Sequence, residues 1–96
     1  LLSGKAGTSA PEPLSLRLED AAGNPVSGQS VVFEVTYNSG RLERDKARVE
    51  VNTDEEGLAS ANFRFGENPG VNIVKAVVKS KATRKLETSF ESMALE

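Results

Sequence analysis

Apolar and polar side chains alternate with a period of two along most of the chain. In LSLRLE, Leu14, Leu16 and Leu18 fall on one face and Ser15, Arg17 and Glu19 on the other. SVVFEV groups Val31, Phe33 and Val35, and RVEVNT sets Val49 and Val51 against Arg48, Glu50 and Asn52. LASANFRF repeats the pattern with Ala59, Ala61, Phe63 and Phe65. VNIVKAVVK reads with Val74, Ala76 and Val78 inward, and KLETSFESM with Leu86, Thr88 and Phe90 on one side. Between Tyr37 and Arg44 the pattern is weak, with Leu42 the one clear aliphatic. No stretch sustains a helical period.

The alternation stops at GNPVSG, NSG, TDEEG, GENPG and SKATRK, all rich in residues that reverse a chain. Short half-buried strands at this spacing predict an antiparallel β-sandwich or barrel. Phe33, Phe63 and Phe90 lie on inward faces, and each contributes about 1.5–3 kcal/mol on full burial. A single domain of 96 residues can stand on such a core without disulfides. The domain is expected over residues 12–94, with residues 1–11 a flexible N-terminal linker and Leu95–Glu96 a cloning scar. The chain starts without methionine and is read as a piece of a longer protein.

Composition narrows the chemistry. There is no His, Cys or Trp. Imidazole bases, thiolates, disulfides and the usual zinc ligand sets are thereby excluded. The net charge of -2, from 12 basic and 14 acidic side chains, gives no bulk pull toward nucleic acid or an anionic membrane. No apolar run is long enough to cross a bilayer. Glu43 and Asp45 are paired carboxylates, but alternation on a strand places both on one exposed face, and no nucleophile–base pair can be nominated. No enzyme, and no cofactor, is expected.

Three motifs call for a choice between a site and a scaffold. GNPVSG is glycine-rich, but phosphate loops run into a helix and a strand follows here. Gly23 and Gly28 supply permissive backbone angles, Pro25 fixes a turn, and Asp20 or Asn24 can cap it. TDEEG offers Asp54, Glu55 and Glu56, with Asp20 a further oxygen donor at the same end, as a calcium candidate. Calcium takes about six to eight oxygens, and the spacing of a dedicated loop is missing. A turn capped by Asp54 with Gly57 left-handed explains the same residues. Lys75, Lys79, Lys81, Arg84 and Lys85 form a basic cluster that could meet an anionic partner, although no aromatic interleaves for base stacking. Lysines on an outer face or guarding an edge strand account for it as well.

Taken together, the motifs resemble the bacterial Ig-like Big-1 family, the repeats of invasin- and intimin-type surface adhesins. The resemblance rests on Asp20, GNPVSG and Val31–Val32–Phe33. It continues with Thr53, Asp54, Gly57 and Ala59, and then with Gly70, Asn72, Val74, Ala76 and Val78. It covers about residues 12–94 and implies an Ig-like Greek-key β-sandwich of about seven strands. It further implies a non-catalytic spacer repeat of a larger bacterial cell-surface or secreted protein, adhesion-related and extracellular. Its partners would then be neighbouring domains of the same polypeptide and a host or surface protein or glycan, with no nucleic acid, no membrane insertion and a monomeric isolated domain. An odd strand number would leave the two termini at opposite ends. The motif residues are turn formers, so the resemblance brings no catalytic group. The alternative is a glycan- or protein-binding module that uses the basic surface around Lys75–Lys85.

Overall fold

The faces read from alternation are the faces that pack in the computed structural model, which describes residues 2–38, 40–78 and 86–96. The strands are β1 (Leu2–Lys5), β2 (Leu14–Arg17), β3 (Ser30–Tyr37), β4 (Arg48–Asn52), β5 (Leu58–Ala61), β6 (Gly70–Val78) and β7 (Leu86–Leu95). Five form one sheet in the order β1-β7-β6-β3-β4, and β2 pairs with β5 in a second, two-stranded sheet. Val31, Phe33, Val74 and Ala76 on the large sheet meet Leu14, Ala59, Ala61, Phe63 and Phe65 from the opposite layer, all buried. Phe33 stacks on Phe90 with centroids 6.1 Å apart, and Phe63 meets Phe65 edge-on at 5.5 Å. The fold is an all-β Ig-like sandwich.

Four features differ from the alternation pattern, each for a local reason. Residues 1–11 were expected outside the domain as a linker. Instead β1 pairs with β7 from Leu2↔Ser92 to Lys5↔Leu95, and residues 6–10 are strapped down. Gly7 N–H donates to Gly66 O, Phe65 N–H to Thr8 O and Ala10 N–H to Phe63 O, at 2.8–3.0 Å. Backbone hydrogen bonding holds this segment, and that leaves little trace in side-chain hydropathy. Leu95 likewise belongs to the sheet, its carbonyl accepting Ala6 N–H at 2.7 Å.

The β1–β7 pair is parallel, so the sandwich is not wholly antiparallel. Leu2 lies beside Ser92 and three rungs short of Leu95, so the described chain does not span from one end of the sheet to the other. The stretch 43–45, with Glu43 and Asp45 read onto a strand face, is a single 3₁₀ turn beyond the buried Leu42. Lastly, the register of β3 on β6 shifts between Val35 and Tyr37. That bulge turns Tyr37, in phase with Phe33 and Val35 by number, onto the outer face beside Ile73, where it is 60% exposed.

Candidate functional site

The residues that stood out in the sequence converge on two turns at one end of the sandwich. In the first, between β2 and β3, the Asp20 Oδ1 accepts the backbone N–H groups of Ala22 and Asn24, both at 2.9 Å. Asp20 N–H donates to Asn24 O at 2.9 Å, and Gly23, at φ 84°, donates its N–H to Asp20 O at 3.0 Å. Pro25 bridges to Glu19, and Val26 N–H returns to Leu18 O at 2.9 Å. The Asn24 amide beside it, reinforced by the Ala22 amide, holds the Asp20 carboxyl below the ordinary aspartate range despite some desolvation.

The second turn, between β4 and β5, is built the same way. Asp54 Oδ1 accepts Glu56 N–H at 2.8 Å and Leu58 N–H at 3.0 Å, while Gly57 N–H donates to Asp54 O at 2.9 Å. Each aspartate therefore uses one carboxylate oxygen to close its own loop. Glu55 and Glu56 are exposed on the turn. Among the described residues no three acidic side chains gather closely enough to hold a metal ion.

What joins the two turns is Thr53. Its buried hydroxyl donates to Val26 O at 2.7 Å and accepts Gln29 N–H at 2.9 Å. Its backbone continues the link, with Thr53 N–H to Gln29 O at 2.9 Å and Gly28 N–H to Thr53 O at 2.8 Å. Gly57 closes the other side. It sits at φ 79°, and a β-carbon there would lie 2.5 Å from Leu18 O and 3.2 Å from both Pro25 Cβ and Val26 N. Leu18 N–H donates to Gly57 O at 2.7 Å. GNPVSG and TDEEG are thus two halves of one clasp, and its chemistry is to satisfy and position backbone.

The remaining candidates lie apart from it. Gly70 opens β6 opposite Ala94, and its neighbour Asn72 is fully buried, its Oδ1 accepting Gly66 N–H at 3.2 Å and its Nδ2 donating to Gly70 O at 3.2 Å. Lys75 stands on β6 between Glu34 of β3 and Ser89 of β7. Lys79, Lys81, Arg84 and Lys85 lie outside the described residues.

Sequence reading missed one pairing. Arg41 and Arg64 face each other across an antiparallel bridge at the opposite end of β5 from the clasp. By alternation Arg64 is one outward polar residue between Phe63 and Phe65, and Arg41 falls in the stretch from Tyr37 to Arg44 where the pattern is weak. Only the fold brings them together.

This arrangement defines an Ig-like module whose marked residues maintain loops. No family model matches the chain, and no curated protein matches it. Among solved structures the chain is similar to the D00-D0 domain of intimin, at 18% identity and a TM-score of 0.69. The match covers 100% of this chain and 44% of that one, so the chain spans less than half of the structure it resembles. At this identity the likeness establishes the fold: that of an intimin-type Ig-like domain.

Proposed function

We propose that the domain is a non-catalytic spacer repeat of a larger bacterial cell-surface or secreted protein, one that serves adhesion from outside the cell. The observation that carries this reading is the parallel pairing of β1 with β7. The chain enters and leaves the sandwich travelling in the same direction, so copies can follow one another without doubling back. The domain is also elongated, with extents of 43 × 22 × 21 Å, which suits a part whose task is reach. The likeness to an intimin domain agrees with a surface adhesin as its setting. Asp20 and Asp54, the acidic residues of the two polar turns, are engaged in closing the clasp.

In-frame deletion of this domain from the full-length polypeptide tests the reading. Bacteria carrying the deletion should keep adhering to cultured cells, with a thinner surface layer. The purified chain should not block adhesion by the parent strain. Competition by the chain alone would show that it is a receptor-binding module and overturn the spacer role.

A further inference from the structure

Arg41 and Arg64 occupy directly opposed positions and exchange both backbone hydrogen bonds, at 3.0 and 2.8 Å. Phe63 and Phe65 on either side of Arg64 point into the core, so Arg64 and its cross-strand mate stand on the outer surface. Like charges directly opposite on a ladder repel. Each guanidinium is held by a neutral backbone acceptor. Arg41 Nη1 donates to Gly40 O at 2.8 Å, and Arg64 Nε donates to Gly7 O at 3.0 Å. Among the described residues the one carboxylate in ion-pair reach is Asp45, 3.7 Å from Arg64 Nη1 and 76% exposed. A pair of that length and exposure neutralises little. Asp45 also holds a left-handed backbone at φ 60°, unfavourable for a residue with a side chain.

Between these residues runs a groove of about 370 Å³ lined by Arg41, Asp45, Arg64, Phe65 and Glu67. A neighbouring hollow shares Asp45 and Arg64 and adds Ser9 and Asn62. We propose that this groove binds an acidic saccharide, with its carboxylate or sulfate seated between the two guanidinium groups. Paired planar forks match the oxygens of such a group. The exposed carboxylates of Asp45 and Glu67 accept hydrogen bonds from sugar hydroxyls. Phe65 is buried beneath, and the rim carries no exposed apolar anchor, so a hydroxyl-rich ligand fits and an apolar peptide does not. The site is distinct from Lys75, which stands on β6.

Amide NMR shifts of the chain, titrated with glucuronate, glucose 6-sulfate and neutral glucose, test this. Saturable shifts at Arg41, Arg64 and Asp45 with either acidic sugar and none with glucose are expected. Arg41→Gln, with an unchanged melting midpoint, should weaken binding about tenfold; Arg64→Lys, which keeps the charge but loses the fork, should weaken it less. No saturable shift with either acid sugar would overturn the proposal. So would equal shifts with plain acetate or sulfate, full binding by Arg41→Gln, or shifts centred on Lys75.

Discussion

Gly57 lies against Leu18 so closely that a β-carbon on the glycine would come 2.5 Å from the leucine carbonyl oxygen. Two constraints coincide at Gly57: the left-handed backbone and the contact. Gly23 and Gly28 share the first, at φ 84° and 71°, but have open space where a side chain would go. Gly23→Ala and Gly28→Ala should therefore each cost about 1–2 kcal/mol. Gly57→Ala carries that strain plus a clash with backbone and should cost clearly more, about 3 kcal/mol or above. Urea unfolding of the three variants gives the order directly; equal losses would contradict the clasp.

Thr53 offers a cleaner substitution. Thr53→Val keeps the shape and removes the hydroxyl, leaving Val26 O and Gln29 N–H without their shared partner. The expected loss is about 1–3 kcal/mol, with Thr53→Ser recovering most of it. Chemical denaturation would reveal the role as pure packing if Val proved as stable as Thr.

The sign of the acid response follows from Asp20. Its carboxyl is held below its ordinary value in the folded state, chiefly by the Asn24 amide, so ionised Asp20 favours folding. That contribution is present above the unfolded-state value of 3.8 and is lost as pH falls through the lower folded-state value. Asp20→Asn should flatten the acid limb of melting midpoint against pH below about pH 4, while leaving its shape near neutrality unchanged. Parallel curves for the two proteins throughout the acid range would show that Asp20 is not linked to folding.

Calcium is a separate question with a simple readout. One oxygen of Asp20 and one of Asp54 already accept two amides each, which leaves few donors to share. Melting with calcium and then with EDTA should give the same midpoint. A rise of several degrees would instead mark a real site, since only a ligand that prefers the folded state stabilises it.

The buried face of the sandwich was legible because one side chain in two must be apolar wherever one face is covered. Val31, Phe33, Ala59, Ala61, Phe63, Val74 and Ala76 all follow that rule. The turns were legible because Asp, Gly and Pro have few other uses in such runs. Two kinds of feature escaped. β1 and its strap are held by backbone, so their side chains carry no signature, and a single bulge reverses the phase that alternation assigns to Tyr37. The Arg41–Arg64 pair depends on contacts between segments 23 positions apart in number, which no local pattern encodes. GNPVSG and TDEEG could each be read as a turn, but their union through Thr53 and Gly57 belongs to the tertiary structure.

The side-by-side course of β1 and β7 has a mechanical consequence. If the two ends of the domain are pulled apart, the strands are dragged in opposite directions along their shared axis. The load is then spread across the rungs from Leu2↔Ser92 to Lys5↔Leu95 at once, instead of peeling them one after another. Such a shear geometry resists tension far better than a zipper of the same bonds. The short first strand thus acts as a latch on the whole sandwich.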